Sequence, residues 1–281
     1  MARPGPGNKI IRWFFAGVIL LALPLLPMLK ASLCAFADDQ KGWALWMAEE
    51  FSDDSYRKRW RTEGLAELTT GKAGAVRFLR IRTLENPGQR EDKQSVLWFR
   101  RPVPGDLLFV FRVRAEAGNQ SLFLFNANPT RESGFRTIFD RPRPDAQYVR
   151  YAGTESIEMY SLGMLRDRQR QCNIRYLGGS AVKTRSFQQG VHIPNLHAHG
   201  SPYFGKPDTW FELDLSIEGR RISLLVDGIQ IAELEDAGES GELGTKWTPL
   251  TNGGYFGFRN FVPGRVEVDY IRVYRKSRRR N

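Results

Sequence analysis

The chain has 281 residues, with 42 Lys and Arg against 31 Asp and Glu and a formal net charge of +11. A chain of this size can stand on one buried core, and its two cysteines, Cys34 and Cys172, exclude a disulfide-stapled scaffold. The basic excess raises encounter rates with polyanions.

Lys9 and Arg12 precede an apolar run from Trp13 to Leu29, and Ala35-Phe36-Ala37 supplies a small-x-small cleavage site. Residues 1–37 therefore read as a signal peptide. Cleavage takes Cys34 away and leaves 244 residues carrying about +7. A secreted or periplasmic location follows. It argues against nucleic acid as partner and leaves an acidic polysaccharide or an anionic membrane surface. The apolar run is short for a span and holds Pro24 and Pro27, so an uncleaved anchor is the alternative and the expected route to a membrane.

From Trp43 onward the chain reads as short strands between turn signals. Val76 and Phe78, with Leu79 and Ile81, are expected to point inward. Pro87-Gly88 and Pro102 to Gly105 mark turns. Leu107–Ala115 and Ser121–Asn126 are strong strands. In the first, Phe109, Phe111 and Val113 alternate with Arg112 and Arg114, so the arginines take the opposite face. Residues 126–148 form a long Pro-, Arg- and Asp-rich excursion, of the kind that carries function on a rigid sandwich. Strands resume at Ser156–Leu162 and Gln171–Leu177. A second excursion, Phe187–Pro207, holds all three histidines.

The last third is the most regular. Phe211, Leu213, Leu215 and Ile217 alternate with Glu212, Asp214, Ser216 and Glu218. Ile222, Leu224 and Val226 repeat the pattern, and Asp227-Gly228 is a hairpin signal. Strands around Tyr255–Phe258 and Val266–Tyr274 are expected to continue this unit as one β-meander. About a dozen such strands predict an all-β fold, a single β-sandwich over 38–275 with a basic tail at 276–281.

FSDDSYRKRWRTEG, FRVRAEAGNQSLFLFNAN, YSLGMLRDRQRQCNIRYLGG, WFELDLSIEGRRISLLVDG and GGYFGFRNFVPGRVEVDYIRVYR are spread over residues 45–275. Together they resemble the concanavalin A-like jelly rolls, and the Cys-Asn-x-Arg with its preceding Tyr resembles the YesU-like branch, a family of unknown function. The resemblance implies a jelly roll of two curved antiparallel sheets, the concave one lined by polar and aromatic residues, and a carbohydrate ligand. It transfers no catalytic assignment.

Alternation in Cys172-Asn-Ile-Arg-Tyr176 sets Asn173 and Arg175 on one face, where an amide beside a guanidinium suits a sugar carboxylate. Asn126 and Asn128 end a strand at the long excursion, and Tyr160 lies on the neighbouring strand. If these converge they make a polar trough. An ordinary wet sheet face carries similar residues. For β-elimination on a uronate, Arg175 is the neutralising group and Tyr160 or His192 the base. A two-carboxylate hydrolase has only a near miss, Glu212, Asp214 and Glu218, best read as solvated charges opposite core leucines. His192, His197 and His199 lack a nearby carboxylate or cysteine, so no metal and no cofactor is expected. Tyr148, Trp247 and Arg259 are further ligand contacts in this reading, the aromatics as stacking platforms. The expectation is an exported protein that binds and processes a polysaccharide by lyase or hydrolytic chemistry, with a non-catalytic lectin-like module as the alternative. The sequence leaves the oligomeric state open.

Overall fold

The computed structural model describes residues 42–84, 94–115, 121–140, 146, 157–165, 171–178, 191–192, 198–199, 208–240, 245–261 and 264–277. Residues 42–277 belong to one compact unit. Apart from a one-turn helix α1 (Tyr56–Arg59) and a 3-10 turn at Arg131–Ser133, the regular elements among the described residues are strands.

Sheet A runs β14 (Ile229–Glu235), β13 (Arg221–Val226), β12 (Phe211–Glu218), β6 (Leu107–Ala115), β18 (Arg265–Lys276), β4 (Val76–Thr83) and β3 (Ala66–Ala73). β1 (Trp43–Glu49) lies beside the C-terminal part of β18, while β4 takes its N-terminal part. Sheet B runs β10 (Val191–His192), β9 (Gln171–Gly178), β8 (Ile157–Leu165), β7 (Ser121–Pro129), β17 (Tyr255–Phe261), β5 (Gln94–Phe99) and β2 (Trp60–Gly64), with β11 (Ala198–His199) also on β9. A short hairpin joins β15 (Glu239–Ser240) to β16 (Thr245–Lys246). Every strand pairing among the described residues is antiparallel.

The inward faces meet in one aromatic-rich core. Phe109, Phe111 and Val113 of β6 and the alternating apolar residues of β12 and β13 come from sheet A. Phe123, Phe125, Tyr160, Ile174, Tyr176, Phe256 and Phe258 come from sheet B. Phe111 and Phe123 lie 4.5 Å apart between centroids, and Phe109, Phe123 and Phe256 contact one another edge-on or tilted. Such pairs add specific geometry to the burial that drives the sheets together.

Two expectations change here. The last strands do not form one meander: β17 pairs with β5 and β7 in the centre of sheet B, and β18 with β4 and β6 in the centre of sheet A. The chain crosses between layers because both have a central vacancy whose backbone groups need partners. Gly253 and Gly254 allow the entry into β17. Gly254 has φ +143°, and a Cβ there would lie 2.6 Å from Asn128 Nδ2. Second, Phe78 does not share the inward face of Leu79 and Ile81. It is buried on the outside of sheet A against Trp210, with Arg80 and Arg114 over its ring. Between those arginines Glu267, 2% exposed at its side chain, accepts from Arg80 Nε at 2.9 Å and from Arg114 Nε at 2.6 Å.

Sheet B also has a covered outer face. Val96, Trp98, Leu124, Met159, Leu177 and Tyr255 form a second apolar cluster that Ile138, Phe139 and Ala146 cap. The excursion after β7 therefore folds back over the sheet that launched it. Asp140 ties its end by accepting from Arg136 N (2.7 Å), Thr137 N (3.0 Å) and Thr137 Oγ1 (2.8 Å), bonds that hold its carboxyl below the usual range.

Candidate functional site

The register of sheet B fixes what each outer row contains. One row runs Arg61, Trp98, Gly257, Leu124, Ser161, Arg175 and His192, each opposite the next on the neighbouring strand. The adjacent row runs Glu63, Val96, Arg259, Leu122, Gly163 and Asn173. Residues directly opposite in an antiparallel pair share a face. Arg175 and Arg259 therefore lie on the outer side of this sheet, Asn173 takes a register position in the row of Arg259, and His192 the one beside Arg175.

Among these groups Glu63 is buried and accepts from Trp98 Nε1 at 2.9 Å. Arg259 is fully buried, with its guanidinium 5.1 Å from the Phe261 ring centre. Arg61 lies over the Phe139 ring at 5.0 Å, which joins the sheet to the excursion above it. Arg175 is half-buried, and its Nε has no hydrogen-bond partner among the described residues. An incompletely bonded guanidinium on a sheet face can take an oxyanion in its fork.

Tyr160 does not join this group. Its side chain points between the sheets and is 2% exposed. The Tyr160 hydroxyl donates to Asp236 Oδ2 and accepts from Leu250 N at 2.8 Å. Burial first, and then the facing Asp236 carboxylate, push the phenol far above its ordinary range. It holds its proton as a fixed donor, and a role as base on the outer face is ruled out by the strand's alternation. Asn126 and Asn128 also turn elsewhere. Asn126 sits in a bulge at φ +50° and donates from Nδ2 to Leu250 O at 2.6 Å. Asn128 Nδ2 donates to Asn126 O at 3.0 Å and Gly253 O at 2.7 Å. Both hold the 250–254 loop at the strand's end, so the shared trough floor does not form.

Trp247 is likewise a packing residue. It stacks on Tyr176 at 5.4 Å and 19° and donates from Nε1 to Asp236 Oδ1 at 3.0 Å. Asp236 was not singled out from the sequence. It is buried, and Gly238 N completes its set at 2.8 Å. Period two from Leu234 puts it inward, and a carboxylate at an inward position demands partners. Tyr160, Asp236, Trp247, Leu250 and Asn126 form a lock that fastens the segment after β14 to sheet B.

Glu212 and Asp214 lie on the outer side of sheet A, as their alternation predicts. Asp214 is pushed up to about 6, first by burial and then by Glu212 and Asp227, and Glu212 is raised by burial. Glu212 accepts from Tyr270 and Glu218 from Lys276. Among the described residues no group of His, Cys, Asp and Glu could hold a metal ion. Tyr148 and His197 lie outside the described residues, as do the side chains of Cys172, Asn173, His192 and His199.

No protein-family model and no curated protein matches the chain. Solved structures do. A Bacillus subtilis protein of unknown function with a galectin-like fold superposes with a TM-score of 0.63 at 19% identity, over 84% of this chain and 98% of that one. The laminarinase catalytic domain of Thermotoga maritima gives 0.51 at 14% identity, over 84% and 99%. The endo-beta-1,3-glucanase of Pyrococcus furiosus gives 0.51 at 14%, over 83% and 95%. With two antiparallel layers around one core, these similarities identify the fold as a galectin-like jelly roll.

Proposed function

We propose that the chain binds an acidic polysaccharide on the outer face of sheet B, with Arg175 holding a sugar carboxylate and Asn173 beside it. The observation that carries this is the partly buried Arg175 on that face, whose solvent-shielded Nε has no hydrogen-bond partner among the described residues. The jelly-roll neighbours include a laminarinase and an endo-beta-1,3-glucanase, which makes a polymeric sugar a reasonable ligand class. The resemblance to the YesU-like proteins belongs to the same proposal. So does the leader at 1–37, which would deliver the domain to a secreted or periplasmic location.

Hydrolysis by paired carboxylates receives no support on this face. That chemistry sets two carboxyl groups roughly 5–10 Å apart. Among the described residues the outer side of sheet B presents Glu63, and Trp98 occupies that carboxylate. A second reading, eliminative cleavage, rests on His192 standing opposite Arg175 in the β9–β10 register. Arg175 would neutralise the uronate, the adjacent carbon would lose its proton to His192, its electron pair would form a carbon–carbon double bond as the bond to the glycosidic oxygen breaks, and that oxygen would take a proton from water.

The test is titration of the folded chain with polygalacturonate, alginate and glucuronan against neutral laminarin, with Arg175→Ala in parallel. Binding to an acidic polymer, weakened at least tenfold in the variant, is expected. Equal affinity for laminarin, or an unaffected variant, would overturn the assignment. Ultraviolet absorbance from unsaturated uronates, lost in His192→Ala, would add the eliminative step.

A further inference from the structure

Basic side chains gather at one corner of the molecule, where β5 ends and β2 begins. The sequence supplies them in two runs, Tyr56-Arg-Lys-Arg-Trp-Arg61 and Phe99-Arg100-Arg101. The β2–β5 register brings the runs together. Trp60 stands opposite Phe99 and Arg61 opposite Trp98, and Arg100 N donates to Arg59 O at 2.8 Å, one step beyond the ladder. Arg57, Lys58, Arg59, Arg100 and Arg101 are exposed, and Arg61 is half-buried.

The neighbouring carboxylates answer few of these charges. Glu49 is buried and taken: it accepts from Arg59 Nε at 2.8 Å, from Arg59 Nη2 at 3.0 Å and from Trp60 Nε1 at 3.2 Å. Asp54 lies 3.6 Å from Arg57, and Asp53 accepts from Ser55 N at 2.7 Å. Lys58, Arg61, Arg100 and Arg101 meet no carboxylate among the described residues. Arg100 Nε donates to Trp60 O at 2.9 Å, Arg61 lies over the Phe139 ring, and the Arg101 guanidinium is 6.0 Å from the Trp46 ring centre. None of these contacts cancels a full charge. Cations this close repel one another, and an anion shared among them relieves the repulsion.

Arg61 also opens the outer row of sheet B that reaches Arg175. β2 and β9 are five strand steps apart, which separates the two arginines by about 24 Å at about 4.8 Å per step. Ile138, Phe139 and Ala146 cap the apolar side chains between them. No monosaccharide bridges that gap, whereas a polymer passing over the cap does.

We infer that this corner is a second contact for the acidic polymer, an inference that rests on the glycan reading of the outer face. One stretch of the chain sets a carboxylate on Arg175, and a later stretch lays its carboxylates on Arg61, Arg100, Arg101 and Lys58. Guanidinium forks suit carboxylates, and joining two contacts through one chain raises affinity about a hundredfold or more over either alone. The ligand selected is therefore a long polyuronate and not a short acidic oligosaccharide.

The folded chain would be titrated with diuronates and with long oligomers cut from polygalacturonate, alginate and glucuronan, at low and high salt. Lys58→Gln with Arg101→Gln, and the same pair with Arg100→Gln added, are compared with the parent. Long oligomers are expected to bind the triple variant at least tenfold more weakly at low salt, with the double variant between, and the difference should shrink at high salt. Affinity for the diuronates should stay within twofold. All three side chains are exposed, so an unchanged melting temperature verifies the fold, and the double variant keeps the bond from Arg100 to Trp60. Long-oligomer affinity that ignores all three substitutions but falls in Arg175→Ala overturns the corner and leaves the glycan face standing. A loss in the triple variant with no effect of Arg175→Ala identifies the corner as a polymer contact and overturns the face. Equal weakening of diuronates and long oligomers, or polyphosphate held at the corner as tightly as a polyuronate of equal length, overturns the selection proposed. Absence of binding to every acidic oligomer overturns both readings.

Discussion

Tyr160→Phe isolates the buried lock. The substitution keeps the ring against Phe125 and Tyr176 and deletes one hydroxyl. That hydroxyl is donor to Asp236 and acceptor for Leu250 N. Loss of a hydrogen bond to a charged group costs about 1.5–3 kcal/mol, and a buried N–H left without an acceptor adds about 1 kcal/mol or more. Trp247 and Gly238 still donate to Asp236, which keeps the total at the lower end, about 2–4 kcal/mol. For a domain of this size that lowers the melting temperature by roughly 5–12 °C. Urea unfolding gives the free energy directly, and Asp236→Asn with the double variant completes a cycle with a coupling of about 1–2 kcal/mol. Because the ring faces the core, glycan affinity should stay within twofold of the parent. A change below about 0.5 kcal/mol, or a collapse of glycan affinity in a stable variant, would refute this placement of Tyr160.

Other outcomes follow from the same geometry. Arg175→Lys should not restore binding lost in Arg175→Ala, since an ammonium lacks the planar fork, and equilibrium titration checks this. Glu267→Gln removes the charge between Arg80 and Arg114 and should cost about 3 kcal/mol in urea unfolding. Asp214, raised to about 6 from 3.8, binds its proton more tightly folded than unfolded. Its contribution is fully present below about pH 3.8 and is lost as pH rises to about 6. Asp214→Asn should therefore stabilise the protein at pH 7 by about 1–2 kcal/mol after screening, with the gain gone near pH 3.5 in paired thermal melts.

Legibility followed how each strand is wetted. Residues 111–114 and 211–226 were readable because there one side of sheet A packs on the core and the other is partly wetted, so chemistry alternates with the pleat. β5 and most of β17 are buried on both sides, so alternation carries no orientation there and the partner sheet of β17 could not be read. Tyr160 fails for a related reason: a phenol suits a groove or a core, and its neighbours Met159 and Ser161 are as buried as it is. Arg175 was placed correctly relative to Ile174 and Tyr176 because charge and hydrocarbon alternate in β9. The bulge at Asn126 depends on a positive φ that no neighbouring residue announces, and it swings Asn126 and Asn128 towards the 250–254 loop.

The placement of β17 and β18 also bears on when the molecule can form. Each inserts between strands made much earlier: β5 and β7 in one layer, β4 and β6 in the other. A nascent polypeptide that ends before Tyr255 has both layers split down the middle, with unzipped ladders on either side of each gap. Neither half can close until residues 255–276 have left the ribosome, so acquisition of this architecture waits for these two strands.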